Sequence, residues 1–304
     1  MKNRGICGSL ALSALLIGLS ATFSTGLLAQ GNKKTIPAIN KESDERLKEL
    51  VAWFKVVLPN EEPVIVEGKN LVILTPKATG KRAQEWLTLA EKHRELAIQT
   101  LDLDESDTQE AKLGIFLWAT PDQFKNYIRR VEKRSPNKDD IVEINSEDWV
   151  LRAAATVGSV KDGILSDHRA GELAAAMMVA RKAKKANKIP EWLILGFGRA
   201  TTWKIAKQTL KPLIEERRKV AFMSKKWNGW QVLCGDANGP EAPAMQASAV
   251  YYLAFGPTAS KFPKFVEGYQ LDDANNTRSL DQVLEFSGIE KDSFSTGWQK
   301  WAVR

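Results

Sequence analysis

Cysteine is nearly absent from this chain of 304 residues: there are two, Cys7 and Cys234. If the N-terminal segment is removed only Cys234 remains, so no internal disulfide can form and stability must come from packing. Histidine is as scarce, with His93 and His168 the only two. Past residue 29 no apolar run is long enough to span a bilayer as a helix, so the body of the chain reads as soluble. No internal repeat or low-complexity tract occurs. No G-x-S-x-G segment is present either, which leaves a serine-hydrolase elbow without support.

Charge is missing from one place in particular, the stretch between Arg4 and Lys33. Lys2 and Arg4, then the apolar run 10–19, then small residues, form the pattern of a secretory signal peptide over 1–29. Cleavage after Gly26 or after Ala29 both fit. The alternative is an uncleaved N-terminal membrane anchor, although Ser20, Thr22, Ser24, Thr25 and Gly26 dilute its second half. The expectation is therefore a secreted or periplasmic protein, touching a membrane only through this segment if it stays on.

What remains has ordinary composition. Hydrophobic residues at 43% and charged residues at 27% suit a globular core, large enough for one domain or two subdomains. The net charge of +7 favours anionic surfaces weakly and does not by itself imply nucleic acid, and none is expected as a partner. The basic run Arg181, Lys182, Lys184, Lys185 and Lys188 reads as a solvated helix C-terminus.

Along the chain, residues 30–41 read as a disordered lead-in and 42–166 as an α+β sheet subdomain. In the latter, a helix (42–58) precedes a hairpin around the "GKN" segment, a long helix (80–103), a strand (111–120), a further helix and a strand (150–160). Residues 167–304 read as a helical subdomain. The fold class is α+β, a mixed sheet with helices followed by a mainly helical half.

Two segments of that half carry a resemblance. "GELAA" (171–175) stands where a zincin helix has His-Glu-x-x-His, whose two histidines one turn apart bind zinc and whose glutamate activates the metal-bound water. "PEWLILGFGRA" (190–200) is similar to the Pro-x-Trp-Leu-x-Glu-Gly-x-Ala segment of bacterial gluzincins with the peptidase MA-like fold. Pro190, Trp192, Leu193 and Gly196 match, and Leu195 falls 20 residues after Ala175. The closing segments 247–270 and 279–303, ending on Trp298 and Trp301, resemble that family's last helices. The resemblance implies a zincin-like fold. It also implies that all three ligand positions are degenerate, with Gly171, Ala175 and Leu195 in place of His, His and Glu. None of these side chains can donate to a metal, so no metal and no cofactor are expected. Glu172 would be the remnant general-base position, without the metal that gives such a base its water.

Glu172 among Gly171, Ala175 and Leu195 would sit in apolar surroundings, where a lone carboxylate is costly. Arg169 and Arg199 are its candidate ion-pair partners. His168 and Asp167 could form a weak cation site with Glu172, or simply a surface pair at a helix start. His93 reads as surface or partly buried, and Cys234 as a small hydrophobe beside a turn. Trp227 and Trp230 straddle Asn228-Gly229, read as a turn, and are candidate ligand-contact aromatics. Three functions follow as expectations. One is an exported, catalytically inactive pseudopeptidase acting as a binding or structural module of the bacterial envelope, with an unknown protein, peptide or glycan ligand. The others are a hydrolase with a rebuilt site around Glu172 and an unrelated helical binding protein.

Overall fold

The computed structural model describes residues 38–104, 112–137, 140, 142–145, 152–157, 165–184, 189–206, 210–270 and 278–303. The expected signal segment lies outside these residues. From Ala38 to Arg304 the chain forms one compact unit. Its described residues contain eleven α-helices and one five-stranded mixed sheet, so the α+β class holds. None of the described helices is long and apolar enough to cross a membrane.

Helix α1 (Ala38–Val57) starts inside the stretch expected as a lead-in. Then come β1 (Val64–Glu67), β2 (Leu71–Thr75), α2 (Ala83–Leu101), β3 (Leu113–Trp118), α3 (Pro121–Arg130), β4 (Val142–Asn145) and β5 (Arg152–Thr156). β1 and β2 make the expected hairpin. The strand order is β1-β2-β3-β5-β4: β2, β3 and β5 run parallel, and each edge strand is antiparallel to its neighbour. Period-two alternation sorts the central strands between two cores. Val72, Leu74, Phe116, Trp118 and Ala154 face α1 and α3, whose Leu50, Phe54, Phe124 and Tyr127 cover them. Leu71, Ile73, Ile115, Leu117, Ala153 and Ala155 face the opposite way, into the larger core.

That larger core is built on α4 (Leu165–Lys182) and α5 (Glu191–Ile205). α6 (Lys211–Met223), α7 (Gly229–Cys234), α8 (Ala242–Phe255), α9 (Phe262–Glu267), α10 (Leu280–Ser287) and α11 (Lys291–Ala302) complete the helical half. α4 is buried on every side from Ala170 to Ala180. A helix apolar all round has to be central, and α4 packs against α2, α5 and the sheet. Its small residues set how closely neighbours approach. A Cβ at Gly198 of α5 would lie 2.5 Å from the Glu172 carbonyl oxygen, so α5 can press on α4 only through a bare glycine.

The edge strand β4 and the short helix α7 have no counterpart in the sequence reading. The reading of Asn228-Gly229 as a turn is corrected: Asn228 caps α7, its side chain accepting from Gln231 N while the Gln231 side chain returns to the Asn228 N–H. Asn serves turns and helix caps by the same side-chain acceptor, so the local sequence does not distinguish them.

Candidate functional site

Arg169 and Glu172 lie on one flank of α4, three residues apart. Arg199 projects from α5 and Glu216 from α6. Together they form a chain of alternating charge. Arg199 Nη1 donates to Glu172 Oε1 at 2.8 Å, and Arg169 Nη1 to Glu172 Oε2 at 3.3 Å. On its other edge Arg199 gives Glu216 two donors, Nε and Nη2, each at 3.2 Å. Thr202 Oγ1 adds a hydrogen bond to Glu172 at 3.0 Å, and Trp203 Nε1 one to Glu216 at 2.9 Å. Both candidate partners of Glu172 are thus in contact with it.

Glu172 is 8% exposed. Burial alone would push its pKa up. Arg199 and Arg169 outweigh that and hold it below the usual carboxylate value. For Arg199 burial opposes the charge, and the two glutamates reverse this and raise its pKa. The network is neutral as a whole, two cations against two anions, which is what allows it to sit inside the protein.

A cavity of about 550 Å³ opens against this network. Arg169, Glu172, Arg199 and Glu216 form its polar wall, Trp192, Leu195 and Leu173 its apolar one, and Val142 of β4 reaches its rim. Of the three positions read as degenerate metal sites, only Leu195 lines the cavity with Glu172. Gly171 is on a different flank of α4, facing α2, and Ala175, fully buried, follows one turn later on that flank. The slot a side chain at Gly171 would need is filled by the imidazole of His93: a Cβ built there meets the ring at 2.3 Å.

His93, expected at the surface or partly buried, is fully buried. Its helix face was legible, but the depth comes from the gap left by Gly171 across the helix contact. The Thr201 hydroxyl spends its proton on the Gly198 carbonyl at 2.7 Å, so it accepts from His93 Nδ1, also at 2.7 Å. His93 Nε2 is then bare and accepts from His168 Nδ1 at 3.1 Å. Protonating His93 would turn two N–H groups toward each other. Burial first, then repulsion from His168, brings the His93 pKa down to about 3; burial lowers that of His168 too.

The consequence for stability has a definite sign. A histidine near 6.5 when unfolded and near 3 when folded takes its proton first in the unfolded chain. Stability is therefore full above pH 6.5 and lost as the pH falls toward 3. At pH 5 the loss from His93 alone is about 2 kcal/mol, and His168 adds to it with the same sign. Glu172 adds a loss of the same sign only as the pH falls from the ordinary carboxylate value toward its lowered folded one. Urea melts at pH 7.5 and pH 5 measure this. The expected outcome is a drop in midpoint that is flattened in His93→Gln; an unchanged midpoint in the wild type would refute it.

The cation site considered at Asp167, His168 and Glu172 does not assemble. Asp167 pairs with Arg82, His168 with His93, and Glu172 with the arginines. Among the described residues no group of three or more His, Cys, Asp or Glu is placed to hold a metal. Trp227 and Trp230 pack partly buried against the core. Trp230 donates to Asp281 at 2.6 Å and lies under the Lys291 ammonium, 3.7 Å from its ring centre. Neither belongs to the cavity. Cys234, read as a small hydrophobe, is exposed at the end of α7; the helix stops there, at the left-handed Gly235, before its turn can be covered. Reasoning from the sequence missed Glu216, Thr202 and Trp203. They come from later turns and another helix, and no local pattern ties them to Glu172.

No family model, curated protein or solved structure matches the chain.

Proposed function

We propose that the protein is a non-catalytic binding module that takes its ligand in the cavity between α4, α5, α6 and α8, on a scaffold akin to the gluzincin peptidases whose chemistry has been lost. The observation that carries this is the state of Glu172. A general base needs a pKa near the working pH. Glu172 accepts from Arg199, Arg169 and Thr202 and is held ionised with a low pKa. Its carboxylate is a structural anion. The same argument weighs against a hydrolase rebuilt around it.

Kinship with the peptidases is supported by the spacing of the two sequence segments and by α4 packing on both α5 and the sheet. That sheet also favours this reading over an unrelated helical binding protein. Gly171 and Ala175 face α2 and only Leu195 reaches the cavity, so these three positions lend the kinship no support of their own. Export to the bacterial envelope, with a protein, peptide or glycan as ligand, is part of the same proposal and rests on the N-terminal charge pattern.

Metal analysis with a peptidase assay on the purified chain is the test. The expected result is no stoichiometric zinc and no chelator-sensitive cleavage. Zinc at one per chain, lost to a chelator together with peptide cleavage, would overturn the reading. Binding is tested by thermal shift against peptide and glycan libraries, with Leu195→Trp filling the cavity. Hits that stabilise the wild type and not this variant place the ligand there; hits that stabilise both equally remove the cavity from the proposal.

A further inference from the structure

The outer face of α6 plays no part in the cavity. The helix turns Leu213 and Val220 into the core and Glu216 toward Arg199. Its opposite side carries Phe222, at 68% the most exposed large apolar side chain among the described residues, and Ile214 at 38%. Arg218 stands between them at helical spacing, in line with both. Exposed on or beside this helix are Lys211, Lys219, Lys225 and Lys226, with Glu215 the one exposed acid between 211 and 226. An exposed aromatic and an exposed aliphatic therefore sit in a row with Arg218 between them, and exposed lysines stand on the same helix, at its start and just past its end.

We propose that this face of α6 docks on an anionic lipid surface, with Phe222 and Ile214 entering the boundary between headgroups and acyl chains and the cations meeting the lipid phosphates. Charge complementarity carries the choice. Apolar side chains in water are a cost that such a surface removes, and a membrane interface rewards apolar and basic groups on one helix face together. A nucleic acid would use the cations and stack on Phe222 but would leave Ile214 without a role. The excess of basic over acidic residues in the whole chain, +7, has the matching sign.

Vesicle sedimentation with the full chain tests this, using mixed phosphatidylglycerol–phosphatidylcholine vesicles against phosphatidylcholine alone. Binding is expected only to the anionic vesicles and is expected to weaken with salt. Phe222→Asp should lower the partition coefficient roughly tenfold or more, the value of burying one such side chain. Phe222→Leu should keep most of the binding, and Arg218→Glu with Lys219→Glu should abolish it. Because these side chains are exposed, all variants should melt like the wild type. Equal binding to both vesicle types, or binding indifferent to Phe222→Asp, would overturn the proposal and hand the interaction to the N-terminal apolar segment or another surface. So would failure to bind vesicles at all, or binding to a single-stranded oligonucleotide instead with the same dependence on Phe222.

Discussion

Replacing Arg199 by alanine is expected to destabilise the protein by about 3–5 kcal/mol, the usual consequence of removing one partner from a buried ion pair. Arg199 serves two carboxylates at once, with Glu172 on Nη1 and Glu216 on Nε and Nη2. Without it Glu172 keeps only the longer contact from Arg169 and the Thr202 hydroxyl, and Glu216 keeps Trp203. The comparison that isolates the mechanism is Arg199→Met with Glu172→Gln and Glu216→Gln. If uncompensated charge is the cause, the triple variant recovers most of the loss, because neutral amides can be buried far more cheaply than carboxylates. The single variant should also gain less stability than the wild type between pH 5 and pH 7.5, because its two buried carboxylates ionise as the pH rises and work against the gain from His93. Equilibrium urea unfolding at pH 5 and pH 7.5 reads both effects. A single variant within 1 kcal/mol of the wild type would show that the network is solvated, by the measure of an exposed pair.

The second large effect comes from adding one methyl group. Gly→Ala within a helix normally stabilises by about 1 kcal/mol, because alanine loses less conformational entropy. At Gly171 and Gly198 the sign should reverse. The new Cβ at Gly198 would lie 2.5 Å from the Glu172 carbonyl oxygen, a backbone atom that moves only if α4 and α5 separate. At Gly171 it would strike the His93 ring, which is bonded at both nitrogens and fully buried. Overpacking of this kind costs about 1–3 kcal/mol, and a broken buried hydrogen bond adds about 1–3 kcal/mol. Net losses of about 1–5 kcal/mol are expected, read as a lower urea midpoint. The pair of sites separates two causes. Combining Gly171→Ala with His93→Ala should relieve the first clash, whereas no side-chain truncation should relieve the second. A stabilised Gly198→Ala would mean that α4 and α5 do not press on one another at this glycine.

How far the site was legible depends on where its parts sit in the chain. Glu172, Arg169 and Arg199 could be brought together on paper, because helical spacing puts the first two on one flank and the pairing of the two helices brings in the third. His93 could not be placed. Its helix face was readable, yet nothing local indicates that Gly171, 78 positions away, leaves a hole the size of an imidazole. β4 went unseen because Val142 and Ile144 alternate over too few residues to stand out from the charged sequence around them. The expectation that Gly171, Ala175 and Leu195 would face one another also fails for a tertiary reason. The way α4 is rolled about its axis sends the first two toward α2 and leaves Leu195 alone with Glu172 on the cavity.

By itself the sequence determined the α+β class, most of the helices, the hairpin, and the absence of ligating side chains from the positions that resemble a metal motif. These are matters of composition and period, and neighbours in the chain are enough to decide them. The tertiary structure alone decided that Glu172 is a bound anion, that a second carboxylate on α6 completes its network, and that an exposed phenylalanine stands among cations on the reverse of that helix. Those facts turn on the roll and depth of packed helices, which depend on the volumes of residues remote in sequence and are written in no single stretch of it.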